Sequence, residues 1–353
     1  MSRYLQRTYF RLLWVNHHGN LGMCIDNSQY KCNNYGTRYT ENINFWFAAY
    51  LAGFLHKIRN DKEIFTMMDA TLKGIFYRLD PTVPPVPVIY DVSRSGRTYP
   101  VDYRSPLPFS VAHDNVSAYL EEFYSAAPEL GATMLYAMFP NTYIDANRNE
   151  LDIDPDLIDG EWPVPLNYTT TKGLGLLKTK SRYGEPFHEK KFTVEEVMAR
   201  LDNYHRPYHA ELKDIIERMH KAWGFVYQIS CHCMSAVGAP THPDPGQPRA
   251  DFCLGNLDGT TASPEFMEFL QKTLMDMGYS CTINLPYSGG ELNRRYGNPA
   301  QGYESVMLEI NKKLFIDIKT FKKTENFEQV RSDLKKFMQK VSEHARERIA
   351  SGN

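Results

Sequence analysis

The chain has 353 residues, of which 42% are hydrophobic and 13% aromatic, and this is enough apolar material to build a sizeable core. Its 40 basic side chains nearly balance the 42 acidic ones, so nothing in the overall charge attracts nucleic acid or an anionic membrane. Six cysteines in a chain of this length do not form a disulfide framework and favour a reducing compartment. We therefore expect a globular protein in the cytoplasm.

The amino-terminal residues allow a second interpretation of the compartment. Arg3, Arg7 and Arg11 precede the first acidic residue, Asp26. This pattern is partly typical of a mitochondrial presequence, but the serine richness of such sequences is missing. A mitochondrial location is therefore the alternative to the cytoplasm.

Residues 1–74 are predicted to be an extension that precedes the main domain. Its apolar run 45–55, FWFAAYLAGFL, is shorter than the roughly 20 residues that a membrane-spanning helix needs, so we expect no membrane span. The aromatic density of this run favours a helix that docks onto the main domain or onto a protein partner. A translation start at Met67 or Met68 is the alternative explanation for residues 1–66.

The main domain is predicted to begin with strands and to alternate between strands and helices. A proline-rich segment, 79–92, leads into its first strand, and the run 132–139 predicts another. We divide the chain into the extension, a domain over 75–320 and a charged amphipathic carboxyl-terminal helix within 321–353. This helix is expected to form a solvated outer layer on the domain.

Helix boundary signals are clear in the middle of the chain. Thr193 and Glu196 form a capping box, and Pro207 should break or kink the helix that follows near Arg206. A strand is expected over 224–230 after this helix.

A second helix has signals at both of its ends. Ser263 is a predicted N-cap, Pro264 occupies the first helical position, and Gly278 lies just past the end. Apolar runs at 279–285 and 305–310 then predict two more strands. Alternation of this kind favours an α/β fold with three layers, in which helices cover both faces of a mainly parallel mixed sheet.

Residues 226–236, VYQISCHCMSA, place a histidine between two cysteines where a strand is expected to end. Side chains on a strand alternate between faces, so Cys231 and Cys233 point away from His232 and the three cannot bind one metal together. The same alternation argues against Cys233 as a nucleophile activated by His232. Any other ligands of a metal at His232 must come from elsewhere in the chain.

Six segments have an order and spacing that match a known pattern. They are FPNTYIDANRNELDIDPDLIDGEWP (139–163), RLDNYHRPYHAEL (200–212), SCHCMSA (230–236), DFCLGNLDGTT (251–261), NLPYSGGELNRRYG (284–297) and LEINKKLFID (308–317). Over about 75–317 the chain therefore resembles the N-formylglutamate amidohydrolase family, whose fold is related to that of the zinc carboxypeptidases. In this family a zinc ion activates the water that cleaves the amide of an N-formyl or other N-acyl amino acid.

The resemblance implies roles for several residues. Glu309 matches the general base, Asn147 and Arg148 match a pair that grips the substrate, and Asp145 orients its neighbours. A salt bridge without a functional role is the alternative for Arg148, and a strand-end charge paired with a lysine is the alternative for Glu309. A small amino-acid derivative that carries carboxylates is the expected ligand.

Two further residues match the pocket of the family. His209 in RPYH and Arg295 in NRRYG are candidate substrate-binding residues. Ordinary packing and surface roles are their alternatives.

The chain departs from the family at the metal ligands. The first ligand in the family is the histidine of a motif that reads approximately Ser-Pro-His-Ser-Gly-Arg, and Arg94 stands in that place within VSRSGRTYP. A guanidinium is always protonated and cannot coordinate zinc. The second ligand is an acid in a Glu-Asp pair, and a gap-free match places Val116 and Ser117 there. His232 is then the single remaining ligand, and zinc is expected to bind weakly or not at all.

Two functions from different classes follow. A shift of one or two residues would bring His113 or Asp114 near the metal, and this relocated ligand set would serve a working amidohydrolase. A pseudoenzyme that acts as a binding or structural subunit of a larger complex is the other. The lost ligands favour impaired catalysis, and Arg94 can supply the charge of the missing ion by pairing with a carboxylate.

Overall fold

The computed structural model describes the backbone of residues 13–15, 21–23, 70–72, 74–168 and 173–352. The chain divides into two compact units, Met1–Asn60 and Asp61–Asn353. In the first unit, strands β1 (Leu13–Val15) and β2 (Leu21–Met23) pair in antiparallel fashion. The predicted docking helix over 45–55 and the two candidate start methionines lie outside the described residues.

The second unit is built on an eight-stranded sheet with the order β11-β10-β12-β9-β5-β6-β4-β3. Its strands are β3 (Ala70–Leu72), β4 (Phe76–Leu79), β5 (Val88–Val92), β6 (Thr133–Ala137), β9 (Val226–Met234), β10 (Phe252–Gly255), β11 (Cys281–Ile283) and β12 (Tyr303–Asn311). Two short strands, β7 (Ile158–Asp159) and β8 (Phe192–Thr193), pair outside this sheet. Strand β3 precedes the predicted start of the domain at residue 75 and already belongs to the sheet.

Seven α-helices accompany the strands in the described part of the chain. They are α1 (Phe109–His113), α2 (Leu120–Phe123), α3 (Val194–Arg200), α4 (Arg206–Trp223), α5 (Pro264–Asp276), α6 (Glu291–Tyr296) and α7 (Phe327–Ser351). None of the helices among these residues is long and apolar enough to cross a membrane.

The sheet is parallel at its centre and mixed toward its edges. Strands β12, β9, β5 and β6 run parallel, whereas β10 and β4 are antiparallel to their central neighbours. Along β5, Tyr90 and Val92 enter one apolar core while Ile89 enters another, because successive side chains point to opposite faces. Helices α5 and α7 cover the first face, and α3 and α4 cover the second. The predicted α/β fold with a mainly parallel mixed sheet is confirmed.

The helix boundaries follow the predicted signals. The Thr193 hydroxyl accepts a hydrogen bond from the backbone N–H of Glu196, whose carboxylate accepts one from the N–H of Thr193. Ser263 caps α5 by accepting from the N–H of Phe266. Gly278 lies two residues past the end of α5 with a φ of +90°, a conformation that glycine adopts without strain.

Pro207 interrupts the helix less than predicted. Between α3 and α4 the chain stays helical through a π-helical segment, Leu201–His205. Pro207 lies in the first turn of α4, where a missing N–H costs least because the first N–H groups of a helix lack partners within it.

Strand β9 is longer than the predicted 224–230 and runs to Met234. It continues because β12 pairs with it along its whole length, as far as Asn311 opposite Met234. His232 therefore lies inside the strand rather than beyond its end. The predicted alternation holds for Cys231, which is buried in the first core on the face away from the His232 side chain.

Candidate functional site

A cavity of about 460 Å³ opens beside the carboxyl ends of the parallel strands. This is where ligands of open α/β sheets bind, and the volume suits a small molecule. Five arginine and lysine side chains line the cavity against two carboxylates, Asp114 and Glu309. The basic residues are Arg94, Arg148, Lys178, Arg182 and Lys312.

Three of the basic side chains surround Asp145, which is fully buried. The Arg94 Nη2 lies 3.1 Å from its carboxylate and the Lys178 Nζ 3.5 Å from it. Burial alone would raise the pKa of Asp145, but the charges of Arg94, Lys178 and Arg148 outweigh it and hold that pKa well below the usual range. We call Asp145 with Arg94, Lys178 and Arg148 the Asp145 cluster.

The Asp145 cluster carries more positive than negative charge. Burial and the neighbouring Arg94 lower the pKa of Lys178 to about 7, although Asp145 opposes this shift. The Arg94 Nε is buried without a hydrogen-bond partner. Because one carboxylate is shared by three basic groups, an additional anion would stabilise the cluster.

His232 is buried next to this cluster as a neutral imidazole. Its Nε2 lies 3.2 Å from the Asn147 Nδ2 and 3.0 Å from the Ser230 Oγ. The Asn147 Oδ1 accepts from the N–H of Leu292, so the amide donates its own hydrogen to His232. Burial first, and then Arg94, lowers the pKa of His232 to about 3. The Nε2 lone pair is therefore occupied, and the Nδ1 has no partner.

Gly290 leaves space for the Asn147 side chain because it has no Cβ. A Cβ at Gly290 would lie 2.5 Å from the Asn147 Oδ1, so only glycine allows this amide to reach both Leu292 and His232. Asn147 is thereby fixed between helix α6 and strand β9.

Glu309 lies directly beside His232 in the parallel register of β12 and β9. Its Oε2 is buried without a hydrogen-bond partner. Burial raises the pKa of Glu309 to about 7, against the opposing charges of Arg94 and Lys312 among others. Glu309 can therefore take up or release a proton at neutral pH, as a general base must.

The remaining basic side chains of the cavity meet at Asp114. The Arg182 Nη2 lies 2.5 Å from the Asp114 carboxylate, and the Lys312 Nζ donates to the Asp114 backbone carbonyl at 2.8 Å. We call these three residues the Asp114 cluster. The neighbouring His113 is held by the Tyr99 hydroxyl at 2.9 Å and does not line the cavity.

The positions at which the chain departs from the metal ligands of the family lie together. Arg94, Val116 and Ser117 all line the cavity, and the N–H of Ser117 donates to the Arg94 carbonyl at 2.9 Å. Asn147, Arg148 and Glu309 line the same cavity.

His209 and Arg295 lie elsewhere. They line a second cavity of about 670 Å³ and do not line the first. The His209 imidazole bridges the Tyr296 hydroxyl and the Ala146 carbonyl, and the Arg295 Nε lies 3.5 Å from Glu291. Their assignment to substrate binding stays a prediction.

The sequence alone did not predict three of the basic residues in the cavity, Lys178, Arg182 and Lys312. Lys178 and Arg182 belong to the long loop between β7 and β8, where no periodicity marks a side chain as buried. Lys312 follows Glu309 by three residues, and this nearness to a candidate base was the one available signal. In the part of the chain that the structure describes, no three histidine, cysteine, aspartate or glutamate side chains are grouped so that they could hold a metal ion.

Comparison with known proteins identifies the family. The model of the N-formylglutamate amidohydrolase family matches residues 86–316, well over half of the chain. This chain belongs to the N-formylglutamate amidohydrolase family. N-formylglutamate deformylase from Pseudomonas putida is 28% identical over 202 residues, which are 56% of this chain and 70% of that protein. The enzyme of the same name from Pseudomonas aeruginosa is 28% identical over 203 residues, with the same coverage.

A solved structure of the N-formylglutamate amidohydrolase family shares the fold. The N-formylglutamate amidohydrolase from Ralstonia eutropha JMP134 is 31% identical, with a TM-score of 0.72. The match covers 78% of this chain and 99% of that one. The resemblance predicted over about 75–317 is thereby confirmed.

Proposed function

We propose that this protein binds an N-acyl amino acid with two carboxylates, of the N-formylglutamate class, and that zinc-dependent hydrolysis of its amide is strongly impaired. The ion pair between Arg94 and Asp145, inside a cavity with more basic than acidic groups, carries this proposal. The protein is then a pseudoenzyme within a family of hydrolases.

The charge of the cavity supports the ligand. Two related proteins are N-formylglutamate deformylases. N-formylglutamate is a dianion at neutral pH, and its two negative charges would compensate the excess positive charge of the cavity. Arg148 is oriented for this role because its Nε and Nη1 donate to the carbonyls of Leu174 and Asn147. Such anchoring lowers the entropy that its side chain loses on binding.

The donor set supports the loss of metal. A catalytic zinc site needs three protein ligands, and its ion lowers the pKa of a bound water to about 7. Here Arg94 brings a fixed positive charge to the first ligand position, and Val116 and Ser117 bring no carboxylate to the second. His232 alone remains of the three ligand positions. These residues do not fit a dication.

A working hydrolase with a relocated ligand set has less support. Of its two candidate ligands, Asp114 is neutralised by Arg182 and Lys312, and His113 is hydrogen bonded to Tyr99 outside the cavity lining. Zinc would have to displace both cations to reach the Asp114 carboxylate.

Calorimetric titration with N-formyl-L-glutamate tests the proposal. We expect one ligand per chain and a loss of affinity in Arg148→Met. Hydrogen bonds to charged groups contribute about 1.5–3 kcal/mol, so the Kd should rise roughly 10- to 100-fold. Arg294→Met is the control, since the Arg294 side chain is 67% exposed on α6, outside the cavity lining. No binding to the wild type, or rapid release of formate with added zinc, would contradict the proposal.

Binding should weaken as the pH rises from about 6 to about 8. The carboxylates of the ligand stay ionised over this range because their pKa values are near 4. An anion in the cavity favours protonated Glu309 and protonated Lys178, whose pKa values are both about 7, so binding takes up protons near neutrality. Glu309→Gln removes one of these titrations and should make the pH dependence shallower. A Kd that improves with rising pH would refute this electrostatic account.

A further inference from the structure

The basic residues of the cavity form two groups, each built around one carboxylate. The Asp145 cluster lies next to His232, since Asn147, the residue before Arg148, contacts the His232 Nε2 at 3.2 Å. In the Asp114 cluster, Arg182 and Lys312 both pair with Asp114. The two groups are therefore distinct, and residues of both line the cavity.

The Asp114 cluster has the features of a prepared anion site. Arg182 is 9% exposed and Lys312 5% exposed, yet both line the cavity. Asp114 neutralises one of their two charges, with its Oδ1 3.4 Å from the Lys312 Nζ. The Arg182 Nε is buried and has no hydrogen-bond partner. One positive charge and one donor are thus left over in a largely desolvated place.

Glu309 lines the same cavity as the two clusters. It lies beside His232 in the register of β12 and β9, and Lys312 follows it by three residues. A ligand whose two carboxylates occupied the two clusters would therefore place its central atoms beside Glu309. In an N-acyl amino acid these central atoms include the amide.

We propose that Arg182 and Lys312 bind the side-chain carboxylate of the ligand and so make the cavity select acidic over neutral N-acyl amino acids. The inference rests on the proposed function and extends it to specificity. The α-carboxylate is separated from the amide nitrogen by one carbon and belongs to the Asp145 cluster, next to His232 and Asn147. The side-chain carboxylate of a glutamyl group is two carbons farther away and reaches the Asp114 cluster.

Asp114 has a positioning role in this site. Its carboxylate holds Arg182 while its backbone carbonyl accepts from Lys312, so both cations point into the cavity before a ligand arrives. A neutral side chain would leave the remaining charge and the Arg182 Nε without a partner. Selection against neutral ligands follows from this unpaired state.

The test compares N-formyl-L-glutamate with N-formyl-L-glutamine by calorimetric titration of the full chain. The two ligands have nearly the same shape and differ by the side-chain charge. We expect the wild type to prefer the glutamate by about tenfold or more, which corresponds to one charge-assisted hydrogen bond. Lys312→Met and Arg182→Gln should each weaken glutamate binding and leave the glutamine Kd within about threefold, so that the preference largely disappears.

The neighbouring residue provides a matched control. The Lys313 side chain is 47% exposed and pairs with Asp251 outside the cavity, so Lys313→Met should keep the full preference. Thermal unfolding shows whether each variant is folded, and Lys312→Met carries the test if Arg182→Gln is not folded.

The possible results distinguish a failure of the selectivity of Arg182 and Lys312 from a failure of ligand binding itself. An equal Kd for both ligands in the wild type, or an unchanged preference in folded Lys312 and Arg182 variants, overturns the inference and leaves the proposed function standing. A wild type that binds neither ligand overturns the proposed function and the inference with it.

Discussion

Zinc affinity should rise by roughly a hundredfold or more when Arg94→His and Ser117→Asp are combined, because the loss of even an outer partner of a zinc site costs about 10- to 100-fold. The two positions lie side by side, with the Ser117 N–H on the Arg94 carbonyl, and both line the cavity next to Asn147, the partner of His232. The double variant thus supplies two imidazoles and one carboxylate, a set that leaves a zinc position open for water.

The two substitutions should act together rather than additively. With Arg94 still present, a new aspartate at position 117 pairs with the guanidinium. With Arg94→His alone, two imidazoles hold zinc weakly. Calorimetric titration with zinc and the absorption spectrum of bound cobalt measure the effect without relying on activity. Arg94→His with Ser125→Asp is the control, because Ser125 is exposed and lies outside the cavity. Equal zinc affinity in the folded double variant, its control and the wild type would refute the placement of Arg94 and Ser117.

Asp145→Ala should lower the free energy of unfolding by about 3–5 kcal/mol, the range for breaking a buried ion pair from one side. The fully buried Asp145 compensates Arg94 and Lys178, and its removal leaves their charges without a partner in a desolvated place. Denaturant unfolding at neutral pH measures the loss. Asp276→Ala is the control, since Asp276 and its partner Lys272 are 63% and 69% exposed and such pairs contribute little.

The pH dependence of this loss has a definite sign. The folded-state pKa of Asp145 is depressed, so its stabilising contribution is present above the ordinary aspartate pKa and disappears as the pH falls through the folded-state value. The difference between the wild type and Asp145→Ala should therefore be full at neutral pH and shrink in acid below about pH 4. A similar loss in Asp276→Ala, or no loss in Asp145→Ala, would show that the Asp145 cluster does not stabilise the fold.

Local signals predicted the parts of the fold that depend on neighbours in sequence. Ser263, Pro264 and Gly278 bound helix α5 because caps act within a few residues. The length of β9 was not predictable in this way, since β12 determines it through pairing between segments about 77 residues apart along the chain. The resemblance to the family predicted four residues of one site, and all four line the same cavity: Arg94, Ser117, Asn147 and Glu309.

The electrostatics of the site could not be derived from sequence. Lys312 and Asp114 pair across 198 residues, and Lys178 reaches Asp145 from a loop without periodic side chains. Arg94 pairs with a carboxylate, as predicted, and that carboxylate belongs to Asp145. That choice depends on which carboxylate lies within reach of the guanidinium in the folded chain. Glu309 has no ion pair with Arg94, and burial raises its pKa to about 7.

The zinc content of the purified protein shows whether the metal site has been lost. Protein purified without added metal, dialysed against micromolar zinc and freed of excess ion, would be analysed for zinc per chain by elemental analysis. We expect far less than one equivalent in the wild type, because Arg94 stands where the family has its first zinc ligand. One equivalent of zinc in the wild type, lost in His232→Ala and in His113→Ala, would contradict the account and establish the relocated metal site.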